Sequence, residues 1–216
     1  VLTIEIEFVM MNQDSIAIAI THPEMLLGEA DAIAMLLDEG VDYVHIRKPN
    51  MGDDEVLALL QAIPTHYHQR LTIHYHHHLT KKVRVGGLHE SFGYSIDINE
   101  DTRVSKSCHS IKEVASIDGD YHYLFLSPIF NSISKENYCS PFDYSELARF
   151  LRHPQSTTQK VIALGGISIQ TAATARRMGF TGYALLGALW SVDNQVVDIK
   201  ETFDNFQQIR EAWQNQ

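Results

Sequence analysis

Apolar positions recur along this chain in two alternating periods. Short strand-like runs begin at Ile16 (IAIAI), Tyr43 (YVHI), Leu71 (LTIHY), Gly87 (GLH), Arg103 (RVSKS), Tyr123 (YLFLSPI), Lys160 (KVIAL) and Gly182 (GYALL). Between them the spacing turns helical: Leu26, Ala30, Ile33 and Leu37 share one face, and Gly40 stands where a left-handed C-terminal residue is wanted. Ile199, Phe203, Phe206, Ile209 and Trp213 stripe the last helix. Eight such strand runs separated by helices predict an α/β fold closed as a (β/α)8 TIM barrel. Capping-box spacings at Thr21 with Glu24 and at Ser110 with Glu113 predict helix starts, as do Asp53 or Asp54, Asp143 with Glu146, and Ser168. The fourth unit differs. After His89 the stretch ESFGYSIDINED has no helical stripe and predicts a short, irregular crossover. The opening LTIEIEF alternates with period two and predicts an extra strand in an N-terminal extension, residues 1–14. Without a fixed-period repeat or a Gly/Ser/Pro-rich linker, residues 1–216 read as a single domain.

Composition narrows the partners. A net charge of −10 argues against a nucleic-acid surface or an anionic membrane, so an anionic ligand must be held by a local basic site. No apolar run approaches the roughly 20 residues that span a bilayer. The two cysteines, Cys108 and Cys139, in a chain without a recognisable secretory leader favour free thiols and a cytoplasmic setting. The sequence is compatible with a homo-oligomer.

Candidate chemistry gathers where barrel chemistry gathers, at the C-terminal ends of strands. VIALGGIS ends an apolar run in the adjacent glycines Gly165 and Gly166, and GYALLGAL repeats the device at Gly187. Glycine turns followed by helix starts suit an oxyanion, because backbone N–H groups can approach it closely. Arg47, Lys48 and Lys135 supply cations, and Ser107, Ser132 and Ser134 supply hydroxyls. His45, His74, His89 and His109 complete the strand-end set. Together these predict a pocket for one or more phosphates. Cys108 adjoins His109, but neighbours on a strand face opposite sides, which argues against a cysteine nucleophile.

The order and spacing of DYVHIRKP, SKSCHSIKEV, SPIFNSISK and VIALGGIS resemble the thiamine-phosphate synthase and TenI superfamily, from about Ile16 to Trp190. The resemblance implies a barrel that joins hydroxymethylpyrimidine diphosphate to thiazole phosphate, releasing pyrophosphate with Mg²⁺ as cofactor. Arg47 would then contact the diphosphate and Ser107 the reaction centre. Ser132, Ser134 and Lys135 would form the hydroxyl and lysine loop, with Gly165, Gly166 and Gly187 on the thiazole phosphate. Other phosphate-binding barrels leave HIRKP and SISK unexplained.

Departures from the family pattern are as informative. His45 replaces a glutamine, Pro49 stands at an expected lysine that Lys48 replaces only in part, and His74-Tyr75 replaces an asparagine-aspartate pair. The aspartate expected after the strand-four histidine is absent from HESFGY, which leaves Glu90 or Asp97 as substitutes. The expected magnesium carboxylates are therefore missing, and the metal expectation is none. These losses favour two alternatives: a TenI-type thiazole tautomerase with His109 as base, or a non-catalytic thiazole-phosphate binder. The histidines of TIHYHHHL, with His66 and His68 upstream, read as solvated and divergent rather than as a metal cluster, with only His74 facing the pocket. His45 and His89 read equally as hydrogen-bonded barrel residues or as ligand contacts.

Overall fold

The computed structural model describes residues 15–90, 101–131, 141–153 and 156–215. The expected N-terminal strand and the irregular fourth crossover lie outside these residues. The predicted barrel forms. Strands β1 (Ile16–Ile20), β2 (Tyr43–Ile46), β3 (Leu71–Ile73), β4 (Gly87–Glu90), β5 (Arg103–Cys108), β6 (Tyr123–Leu126), β7 (Val161–Leu164) and β8 (Gly182–Leu185) close in chain order. All pairings in the barrel are parallel, and Ile16 opposite Gly182 through Ala19 opposite Leu185 seals the ring.

Around it lie helices α1 (Glu29–Asp38), α2 (Asp53–Ala62), α3 (Ile111–Ala115), α4 (Tyr144–Arg152), α5 (Ala172–Met178) and α6 (Ile199–Gln214). Two 3₁₀ turns, Thr65–Arg70 and His77–Lys81, flank β3, and a small antiparallel hairpin, β9 (Val192–Asp193) with β10 (Val196–Val197), precedes α6. One set of strand side chains, such as Val44, Ile73 and Leu124, packs outward into the main core with Leu36, Leu60 and Phe206. The alternate set fills the lumen.

That lumen has two unlike halves. Ile18, Ile20, Phe125, Ile162 and Ala184 make an apolar side from β1, β6, β7 and β8. Facing them, β2 to β5 contribute His45, Thr72, His89 and Ser105, all buried. At the N-terminal end, Arg103 closes the barrel: its guanidinium lies 3.7 Å from the Tyr43 ring centre and donates to Thr72 Oγ1. Gly87 makes room for it, since a Cβ there would stand 2.5 Å from Thr72 Oγ1 and 2.9 Å from an Arg103 nitrogen.

Two helix starts fall as their spacings predict and three are displaced, one by a tertiary partner and two by local hydrogen bonds. Ser110 Oγ accepts from Glu113 N, and Asp143 Oδ1 from Ser145 N and Glu146 N, as their spacings predict. Thr21 does not cap: its hydroxyl accepts from Arg47 N on the neighbouring strand, and α1 begins after Gly28 instead. The second start falls at Gly52, whose N–H donates to Glu55 Oε2, rather than at Asp53 or Asp54. Ser168 is displaced too, because its carbonyl accepts from Thr171 N and Ala172 N in a turn that delays α5. Ile199 is exposed rather than part of the buried stripe, which runs through Thr202, Phe206, Ile209 and Trp213.

Candidate active site

The strand ends carry two separate constructions, a glycine turn on one side and a histidine cluster on the other. Gly165 and Gly166 follow β7 with φ of 92° and 68°, a left-handed pair that glycine adopts without strain. Their missing side chains face the segment after β6. A Cβ on Gly165 would lie 2.9 Å from Pro128 Cα, and one on Gly166 would lie 2.7 Å from both Asn131 O and Phe130 Cβ. Phe130 N donates to Gly165 O and Ile129 N to Leu164 O, so the turn seats the segment that runs into residues 132–135. Thr171 Oγ1 braces the turn by donating to Gly166 O and accepting from Ser168 N. Gly187 sits exposed in the turn after β8. Ser132, Ser134 and Lys135 lie outside the described residues.

Gly166→Ala should therefore lower stability by about 2 kcal/mol, from left-handed strain plus overlap with the 130–131 backbone. Gly28→Ala is the matched comparison, with φ 77° and nothing within 4 Å of its Cβ. Urea unfolding of both variants separates the terms, and equal losses would remove the overlap from the account.

Inside the lumen below the mouth, β2, β4 and the residue after β3 bring the buried His45, His89 and His74 together. His45 Nδ1 lies 2.8 Å from His74 Nε2, and His45 Nε2 lies 2.6 Å from Tyr123 OH. His89 Nδ1 pairs with Ser105 Oγ at 2.9 Å and Nε2 with Ser107 Oγ at 3.1 Å, while its ring stacks on His74 with centres 4.1 Å apart. Burial holds all three rings neutral. His89 is pushed down to about 3 by loss of solvent and by the His77 and Arg47 charges, and His45 and His74 are held well below the usual histidine range, burial again dominating. Of the histidine run, His74 is the member that joins this cluster. Tyr123 and Ser105 were missed as site residues, although both follow from period-two alternation on β6 and β5.

The other histidines also differ from expectation. His76 and His78 do not diverge: His76 Nδ1 and His78 Nε2 each lie 2.7 Å from an oxygen of Asp53, because the 3₁₀ turn brings them to the same side. His68 is buried against Ile63 O, and His77 is buried as well, so neither is a solvated face residue. His109 is exposed, with Nδ1 3.0 Å from Ser127 O. A ring that donates from Nδ1 to that carbonyl keeps Nε2 as an acceptor.

The cations separate sharply. Lys48 is not a phosphate contact: its side chain is fully buried, and Nζ donates to Glu29 Oε1 and Oε2 at 2.7 and 2.6 Å and to the carbonyls of His22 and Glu24. Arg47 is half-buried with no hydrogen-bond partner for its guanidinium among the described residues, and its charge is felt at His74 and His89. Cys108 is buried and its thiol is pushed up to about 11 by desolvation, which leaves it unreactive at neutral pH.

A family model described as thiamine monophosphate synthase matches residues 17–189. The chain belongs to that family. Thiamine phosphate pyrophosphorylase from Bacteroides thetaiotaomicron is a similar solved structure, 30% identical, covering 91% of this chain and 96% of that one with a TM-score of 0.78. The structure named thiamine phosphate pyrophosphorylase from Pyrococcus furiosus is 17% identical, covers 93% and 98%, and shares the fold with a TM-score of 0.70. By sequence, the thiamine-phosphate synthase of Latilactobacillus sakei subsp. sakei (strain 23K) is 30% identical over 90 residues, 41% of this chain and 39% of its own length. That of Limosilactobacillus fermentum (strain NBRC 3956 / LMG 18251) is 23% identical over 108 residues, 50% and 49%. The matched stretches thus span about two fifths to one half of these curated relatives. No helix among the described residues is long and apolar enough to cross a membrane.

The Mg²⁺ that membership in the thiamine monophosphate synthase family implies finds a poor donor set here. Mg²⁺ wants oxygen ligands in near-octahedral order. His74 and Tyr75 stand where the family resemblance leads one to expect a carboxylate, and Tyr75 adopts a left-handed φ of 62°. Glu90 is already engaged, accepting from Lys106 Nζ at 2.5 Å and from Tyr121 OH, and Asp53 is held by His76 and His78. Asp97 lies outside the described residues. The ring of strand ends from β2 to β4 offers imidazole nitrogen in place of a free carboxylate.

Proposed function

We propose that this protein condenses hydroxymethylpyrimidine diphosphate with thiazole phosphate, giving thiamine phosphate and pyrophosphate. The observation that carries this reading is the glycine turn at 165–166, locked to the segment leading into 132–135, with the Arg47 guanidinium at the end of β2 and unpaired among the described residues. In that arrangement the turn and the following residues hold the thiazole phosphate. Arg47 neutralises charge on the departing diphosphate as the C–O bond to the pyrimidine methylene breaks and the thiazole nitrogen attacks. Ser107, at the end of β5 beside His89, borders the reacting carbon. Product is expected when the purified protein is incubated with both substrates and a divalent cation, and absence of thiamine phosphate at high enzyme concentration overturns the proposal. Arg47→Ala should lower kcat/KM by about 100-fold or more, the scale for losing one preorganised charge-stabilising donor.

One observation favours a second reading, a thiazole tautomerase. His109 is oriented through Ser127 O with Nε2 left as an acceptor, the arrangement a general base needs. With a carboxythiazole phosphate tautomer as substrate, His109→Ala should slow aromatisation by about 100-fold. An unchanged rate removes that reading. Binding of thiazole phosphate with neither turnover would leave the non-catalytic binder as the function.

A further inference from the structure

We propose that His45, His74 and His89 form a three-imidazole site for a divalent transition metal inside the barrel, with Zn²⁺ the best-matched ion. The inference does not depend on which thiamine-pathway reaction the protein performs. Among the described residues this is the group of metal-ligating side chains that converges, with one nitrogen from each ring within 4.8 Å of the others. His45 and His89 lie within β2 and β4 and His74 directly follows β3, so three consecutive strands set the positions.

The hydrogen-bond pattern aims two of the three ligand atoms, those of His45 and His74, at one point. His45 Nδ1 and His74 Nε2 point at each other at 2.8 Å, where two neutral rings must share a single proton. A metal at that point, with the shared proton moved to the far nitrogen of the ring that carried it and Zn–N bonds of about 2.0–2.1 Å in tetrahedral order, needs the two nitrogens roughly 3.3 Å apart, an opening of about half an ångström. The far nitrogen of His45 remains bonded to Tyr123 OH, and His89 Nδ1 to Ser105 Oγ, which are the outer partners that metal-binding histidines ordinarily keep. A His89 nitrogen supplies the third bond once its ring turns out of the near-parallel stack on His74, where the centres are 4.1 Å apart, and a turn that frees Nε2 also releases Ser107 Oγ.

The chemistry of the donors selects the ion. Three neutral nitrogens and no carboxylate suit Zn²⁺ and its neighbours rather than Mg²⁺. Burial keeps the rings in the unprotonated form that ligation requires. With Arg47 nearby and no anionic ligand in the set, the fourth position is suited to hydroxide or to an anionic oxygen. It lies on the same strand ends where the family's magnesium carboxylates are missing.

The test is metal uptake by the full chain. Chelator-treated protein titrated with Zn²⁺ against a chromophoric chelator should take up one tightly held equivalent, and Co²⁺ should give the intense visible bands of a four-coordinate site, bleached by Zn²⁺. His74→Gln should lose this binding by about 100-fold or more, and Tyr123→Phe should weaken it by about 10-fold, the scale for an outer partner. The double variant His76→Gln/His78→Gln removes the surface pair on Asp53 and should bind as the unmodified protein does. Loss of the equivalent in that variant, with retention in His74→Gln, would place the ion at Asp53 and overturn the proposal. If His74→Gln fails to fold, the unmodified protein still decides: no stoichiometric uptake, or only the weak spectrum of six-coordinate Co²⁺, is equally fatal.

Discussion

Chelator-treated protein should lose about 4 kcal/mol of unfolding free energy between about pH 7.5 and about pH 5.5, read from urea midpoints at the two values. The sign follows from the direction of three shifts. His45, His74 and His89 all have folded values below the ordinary 6.5, so between that value and the folded ones the unfolded chain binds protons that the folded chain refuses. Their stabilising contribution is complete above about 6.5 and falls as the pH drops towards the folded values, the lowering for His89 reaching about 3. Each histidine contributes about 1.4 kcal/mol per pH unit in that window. The three add because the differences lie in the unfolded chain, where the rings are far apart. His122, also lowered by burial, acts in the same direction. The lowered carboxylates Asp53, Glu90 and Asp143 titrate below this window and leave it undisturbed. His89→Gln should reduce the loss by about 1.4 kcal/mol. Identical midpoints at the two pH values would show that the rings are solvated in the folded protein.

The same buried rings show where sequence reading stops. Their strand-end positions are legible, because HIRKP, TIHY and GLHE place each histidine at the close of an apolar run. Their convergence is not, since it depends on the stagger of β2, β3 and β4 and on Tyr123, which lies 78 positions from His45 in the chain. The barrel itself was legible for the opposite reason: most strands are short apolar runs followed by their own helix signals, so local decisions compose the fold even though the fourth unit lacks a helical stripe and β5 is largely polar. Ser110 and Asp143 cap as their spacings predict because donor and acceptor lie within three residues of each other. Thr21 has equally good spacing, yet its hydroxyl is claimed by the Arg47 backbone across a strand pair. His76 and His78 meet at Asp53 because a 3₁₀ turn follows β3 where consecutive histidines suggested divergent directions.

Lys48→Ala should destabilise the protein by about 3–5 kcal/mol, the cost of removing one member of a buried ion pair. Lys48 and Glu29 both have fully buried side chains, and the ammonium reaches both carboxylate oxygens and two backbone carbonyls. Burial pushes the lysine down and the glutamate up, while each partner opposes the shift of the other. Without Lys48 the Glu29 carboxylate must either stay charged in a dry site or take a proton, and the carbonyls of His22 and Glu24 lose their donor. The double change Glu29→Leu/Lys48→Met should recover most of the loss in urea unfolding, since an apolar pair of similar volume carries no desolvation penalty. A cation that bound phosphate would behave in the opposite way, leaving stability intact on removal while weakening the ligand. Thermal and urea unfolding of Lys48→Ala, set beside thiazole-phosphate affinity for Arg47→Ala, therefore distinguish two adjacent basic residues. Lys48 locks the start of α1 to the end of β2, and in the proposed synthase reaction Arg47, one position earlier, is left to meet an anionic substrate.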